Sequence, residues 1–162
     1  MYNFVRRNKM YPYQLFDHIK GEVQKYYQQS GNKIIANLAN NLFGRMRNEG
    51  FTANEAWRAI AGGFACVASN DAKISYDELR AYNAMVGEPV SYSDFFNIMS
   101  KYNKQENRNN TIELFNRMRS ADTAYNFITF CIAVCIVDGN LATREETFCT
   151  SLCDVYINRF GR

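Results

Sequence analysis

Two cysteine pairs carry the most suggestive spacing in the chain. Cys131 and Cys135 are four positions apart, and so are Cys149 and Cys153. On a helix, that spacing puts both thiols of a pair on one face. Folded as an antiparallel hairpin, the two segments bring Cys131 opposite Cys153 and Cys135 opposite Cys149, because both pairings are centred on the same point of the chain. Four thiolates between two helices can hold Zn²⁺, and two facing pairs can also close as disulfides. The third reading is inert core thiols, since buried free cysteine behaves as a small hydrophobe. Two rungs one helical turn apart do not converge on one centre. This counts against a single zinc site at Cys131, Cys135, Cys149 and Cys153, and packing is the expected role.

Acidic residues form the second candidate group. Asp71 and Glu78, with Asn70 and Asp77 nearby, lie in one polar turn; Asp138, Asn140 and Glu145 lie in another. Hard cations such as Ca²⁺ or Mg²⁺ take oxygen ligands, six or more for Ca²⁺. Neither turn supplies that many at EF-hand spacing, so a metal held by Asp71, Glu78, Asp138 and Glu145 is expected to bind weakly. Turn fixing by the aspartates and helix capping by the glutamates already account for these residue types.

Other residues offer less. His18 is the only histidine, and neither a metal triad nor a Ser-His-Asp set assembles around it. Gly62-Gly63 lacks the Gly-x-x-x-x-Gly-Lys context of a phosphate loop; each costs a helix about 1 kcal/mol relative to Ala, which close helix approach would offset. Trp57 reads as a core or half-buried anchor and Asp122 as a helix cap. Tyr11, Tyr13, Phe16, Tyr26 and Tyr27 cluster early in the chain, where core packing competes with a partner surface. No positioned base or oxyanion group accompanies any nucleophile, so the chain is expected not to be an enzyme.

These residues must be held by helices. The chain has 162 residues, 47% hydrophobic and 15% aromatic, with only 2 prolines. That is enough apolar material for one core, and so few breakers favour long helices. Apolar spacing is helical throughout. Leu15, Ile19, Val23 and Tyr26 or Tyr27 form one stripe; Ile34, Ile35, Leu38, Leu42, Phe43 and Met46 form the next. Pro12 suits a first turn and Gly50 a stop. Thr52 with Glu55, Ser75 with Glu78, and Thr143 with Glu146 read as capping boxes, with Ser91 and Asp94 as a weaker version. The spacing predicts about eight helices, near 11–30, 32–49, 53–69, 76–86, 92–103, 110–120, 123–137 and 144–160, and no sheet. Segment 104–110 is polar and reads as a loop between two halves.

Net charge is +3, and Arg6, Arg7 and Lys9 form the one short basic cluster. A nucleic-acid binder usually carries a longer basic stripe, so nucleic acid is not an expected partner. No apolar run approaches the length of about 20 residues that spans a bilayer. The opening residues lack the apolar stretch of a signal peptide. A cytoplasmic protein with reduced cysteines is therefore expected.

The two acidic turns belong to an internal repeat. Asp71 matches Asp138, Ile74 matches Leu141 and Glu78 matches Glu145, all at an offset of 67 (138 − 71). Each copy reads as a small-residue apolar helix, then Asp, a tight turn with one aliphatic, and Glu opening the next helix. At the same offset, Cys131, Cys135, Cys149 and Cys153 correspond to Phe64, Ala68, Tyr82 and Val86, which are non-ligands. Val137-Asp138-Gly139-Asn140-Leu141, with Glu145 seven residues after Asp138, resembles the TerB-like family of bacterial tellurite-resistance proteins. Asn70-Asp71-Ala72-Lys73-Ile74 is the second copy, with Ala72 where that family usually has Gly. The resemblance spans about 51–160. It implies an all-α domain of antiparallel hairpins over 51–162, with 1–50 as a helical extension packed on it. It further implies a non-enzymatic stress-response module working through protein interaction or self-association, with a divalent cation at Asp71, Glu78, Asp138 and Glu145. A helical adaptor or homodimeric scaffold without metal is the alternative.

Overall fold

The computed structural model describes residues 10–30, 33–68, 76–102, 105–137 and 143–161. Among them are eight α-helices and no strand: α1 (Pro12–Ser30), α2 (Lys33–Asn48), α3 (Ala53–Ala68), α4 (Tyr76–Val86), α5 (Tyr92–Tyr102), α6 (Gln105–Asn116), α7 (Ala121–Val137) and α8 (Thr143–Phe160). The expected all-α class is what the chain adopts.

Local chemistry explains most helix ends. α1 opens on Pro12, and the Gln14 side chain reaches back to accept from the Tyr11 N–H at 2.8 Å. α2 is stopped by Gly50, two residues past its last residue Asn48, with φ of 97°, a left-handed conformation that glycine adopts without strain. The Phe51 N–H donates to the Met46 carbonyl and the Gly50 N–H to the Arg47 carbonyl. Phe51 and Met46 are both buried, which completes a Schellman motif. The capping box before α3 is reciprocal: the Thr52 N–H donates to Glu55 Oε1 at 3.0 Å, and the Glu55 N–H to Thr52 Oγ1 at 3.1 Å. Ser91 caps α5 by accepting from the Asp94 N–H. Ser75 lies outside the described residues, as does the side chain of Thr143.

Two local expectations need correction. Asp122 does not cap α7. Its own N–H donates to Ser120 Oγ at 3.2 Å, and the Ala124 N–H donates to the Ser120 carbonyl. Ser120 is the cap, and Asp122 sits in the first turn, where negative charge suits the helix dipole. The polar stretch 105–110 is helical, so α6 begins five residues early and ends early too. Gln105 Nε2 donates to Asn109 Oδ1 at 2.9 Å, and the Asn107 side chain donates to the Lys101 carbonyl. Arg108 lies over the Phe148 ring, 5.5 Å from its centroid. Tertiary contacts supply what this segment lacks in apolar periodicity.

α7 and the second half of α3 lie at the centre. Both are apolar on nearly every side, as helices must be when neighbours surround them. α1, α2, α3, α4 and α8 all pack on α7, and α6 lies along α3. Leu15, Phe16, Ile19 and Val23 of α1 share one continuous core with Phe127, Phe130 and Ile132 of α7. Residues 12–48 therefore help build the interior. The glycine pair in α3 marks two close approaches. A Cβ on Gly62 would overlap the Thr111 hydroxyl of α6, and one on Gly63 would sit 3.1 Å from the Phe127 ring and 3.3 Å from Cys131 Sγ.

The two halves are not packed alike. α7 and α8 lie side by side, whereas α4 packs along α2 and meets α3 through the Phe64–Tyr82 ring contact at 5.5 Å.

Candidate functional site

The five cysteines form the densest set of reactive side chains among the described residues. All five are free and buried. The antiparallel α7–α8 hairpin has the register read from the sequence: Cys135 Sγ and Cys149 Sγ are 3.4 Å apart, and Cys153 lies near Cys131. Cys66 of α3 also lies close enough to act electrostatically on Cys131, which the spacing of the twin pairs gave no reason to expect. It arrives there because Gly63, three residues earlier, lets α3 close onto α7.

This environment opposes thiolate formation. Burial pushes Cys131 well above the ordinary thiol value, and the neighbouring Cys135, Cys66 and Cys153 add to the effect. Cys149 rises because it is hydrogen-bonded to Cys135 and desolvated, and burial pushes Cys153 up to about 12. Cys66 also rises by burial, partly offset by Arg108 and by a hydrogen bond with Thr111. Thiols held neutral in this way are poor nucleophiles and poor metal ligands. Among the described residues, no three or more of His, Cys, Asp and Glu are grouped to hold a metal ion.

Of the acidic candidates, Glu78 is described. It stands in the first turn of α4 and is only 2% exposed, whereas an acid at an outward-facing corner would be open to solvent. Its neighbour Asp77 is exposed and paired with Arg80. Asp71 and Asp138 lie outside the described residues, as does the side chain of Glu145.

The early aromatic cluster divides. Phe16 is buried and Tyr27 packs against the core. Tyr11 and Tyr13 are exposed and stacked, with ring centroids 6.1 Å apart. Tyr26 is different. It lies one heptad after Ile19 and three residues after Val23, on the core-facing stripe of α1, yet it is 61% exposed. It lines a cleft of about 300 Å³ where α1, α2 and α7 meet, together with Val23, Ile34 and Leu38 and the polar side chains of Glu22, Asn37, Asn41 and Thr129. The stripe runs on at Tyr26 beyond the neighbours that bury it elsewhere.

His18 sits at the edge of α1 with its Nε2 2.7 Å from Glu22 Oε1. Trp57 is 38% exposed, which fits the half-buried form of the anchor reading, and Tyr92 and Phe96 of α5 are also partly open to solvent. No family model matches the chain, and neither a curated protein nor a solved structure matches it.

Proposed function

We propose that the chain is a non-catalytic helical interaction module of the TerB-like, stress-response type, working through its surface and with a weakly held divalent cation at its acidic turns. The observation that carries the interaction reading is the Tyr26 cleft. An aromatic ring on the apolar stripe of a helix, exposed beside Val23, Ile34 and Leu38, is the surface chemistry that interfaces use, because a large rigid ring buries much area for little lost entropy. The kinship rests on the repeated Asp-to-Glu pattern. Cation binding rests on the sequence of the turns.

The module is tested by Tyr26→Ala. Tyr26 is exposed, so its removal changes folding stability by no more than about 0.5 kcal/mol. If Tyr26 anchors an interface, its loss weakens association by about 2 kcal/mol, roughly 30-fold. Sedimentation equilibrium of the wild type and the variant reads self-association, and titration with a captured partner reads the adaptor form. Tyr27 is left in place because it packs on the core and its removal would lower the melting temperature by itself. Unchanged association in Tyr26→Ala would remove the cleft from the proposal. For the cation, calcium is expected to raise the melting temperature of the wild type and not of Asp138→Asn. Equal curves for the two proteins would end that part.

A further inference from the structure

We propose that Cys135 and Cys149 form an intramolecular disulfide when the chain meets a small peroxide, joining α7 to α8 covalently. The inference is independent of the interaction role. It rests on the placement of two sulfurs.

Cys135 and Cys149 face each other across the hairpin with sulfurs 3.4 Å apart and a sequence separation of 14. Closing to a disulfide bond of about 2.05 Å requires a further approach of about 1.4 Å. Both helices already hold the side chains face to face, so a small adjustment of two rotamers supplies this. All four thiols are buried, but this pair lies nearer the ends of its helices. Cys135 lies two residues before the end of α7 at Val137, and Cys149 lies in the second turn of α8. Helix ends open locally at lower free-energy cost than helix middles. Cys131 and Cys153 lie one turn deeper along the same hairpin, with Cys66 of α3 beside Cys131.

The chemistry balances with hydrogen peroxide as the oxidant. When the hairpin end opens, one thiol loses its proton to water. Its thiolate attacks a peroxide oxygen; the S–O bond forms, the O–O bond breaks, and hydroxide leaves to be protonated. The second thiolate then attacks the sulfenic sulfur. The S–S bond forms, the S–O bond breaks, and a second water departs. Two sulfurs are oxidised by one equivalent each, and the peroxide is reduced to two waters. Burial makes the first step slow, and it also shields the finished bond from reductant.

The full chain is treated with hydrogen peroxide, blocked with iodoacetamide and digested with trypsin without reductant. Cleavage after Arg144 separates the two cysteines, so a disulfide joins peptide 120–144 to peptide 145–159, and fragmentation of the linked species locates the bonded sulfurs. The expected product carries the Cys135–Cys149 bond. Its melting temperature is higher by roughly 5–10 °C, from the entropy that the cross-link removes from the unfolded chain. Dithiothreitol reverses the gain. Cys131→Ala/Cys153→Ala keeps both the bond and the shift, and Cys149→Ala has neither. The proposal is overturned if the folded chain keeps its thiols under conditions that cross-link the urea-unfolded chain. It is equally overturned if Cys131–Cys153 forms as readily, or if the bond forms and lowers the melting temperature. Because the wild type alone decides the mapping, a variant that fails to fold does not affect it.

Discussion

At the scale of single residues, the thiols make the molecule sensitive to alkali. An unfolded thiol ionises near its ordinary value of about 8.5, while in the fold Cys131 and Cys149 stay neutral well above that and Cys153 stays neutral up to about 12. Their folded-state values are raised, so the stability they contribute is fully present below the unfolded value. It is lost as pH rises toward the folded values, because there the unfolded chain holds fewer protons than the native one. Each fully buried thiol adds at most about 1.4 kcal/mol per pH unit to this loss. Half-buried Tyr125 is shifted in the same direction, mainly by desolvation. The urea midpoint should therefore be level between about pH 7 and 8 and fall steeply above about pH 9. Dithionitrobenzoate should react only as fast as the chain opens. A midpoint that stays level through pH 10, or fast reaction of the native thiols, would contradict the burial of the cluster.

At the scale of elements, the glycines of α3 and α2 separate two effects that composition alone confounds. Gly44 lies in α2 with open space around it, whereas Gly62 meets the Thr111 side chain of α6. Gly44→Ala should stabilise the protein by about 0.5–1 kcal/mol through helix propensity and a less flexible unfolded chain. Gly62→Ala gains the same propensity, but its new methyl overlaps the buried, stiff Thr111 side chain. Overpacking of that kind costs about 1–3 kcal/mol, so the net change is destabilising by about 1 kcal/mol. Thr111→Ala on the Gly62→Ala background should recover part of the loss, giving a double-mutant coupling of about 1 kcal/mol. Additive changes would mean that α3 and α6 do not touch there. The pair shows what was readable at this scale. The glycines themselves announced a close approach, but the first half of α6, 105–110, read as a loop, because Gln105, Asn107 and Asn109 offer no apolar period. Their helix is set by neighbours on α3, α5 and α8 that no local pattern contains.

At the scale of the whole molecule, polar links tie distant chain segments together at one end. Glu49, just past α2, accepts from the Arg119 N–H at 2.6 Å, and the Arg119 guanidinium donates to the Glu49 carbonyl. Arg117 spans the Phe51 ring and Glu55, lowering the Glu55 carboxyl together with the Thr52 N–H, whose effect is larger. Arg159, near the end of α8, donates to the carbonyls of Phe115 and Met118, which lie at and just beyond the end of α6, where carbonyls run short of helical donors; the Phe115 carbonyl also accepts from the Met118 N–H at 3.1 Å. Removing it in Arg159→Ala should lower the urea midpoint by the equivalent of about 1 kcal/mol with an unchanged slope. Arg80→Ala breaks an exposed pair with Asp77 within a single helix and should cost less than about 0.5 kcal/mol. Equal effects from the two would show that Arg159 contributes no more than an ordinary surface ion pair.

What the sequence determined by itself is local. Period, caps and stops fixed the helical class and most helix boundaries, because each depends on residues within one or two turns. The twin cysteine spacing gave the Cys135–Cys149 register, because an antiparallel hairpin with a short turn leaves little freedom in pairing. The tertiary structure alone decided which faces were covered. It buried Glu78, left Tyr26 open on an apolar stripe, brought Cys66 to the other thiols and made a helix of 105–110. Each of these depends on where segments far apart in the chain come to rest, and that is set by competition for one shared core, not by any residue's nearest neighbours.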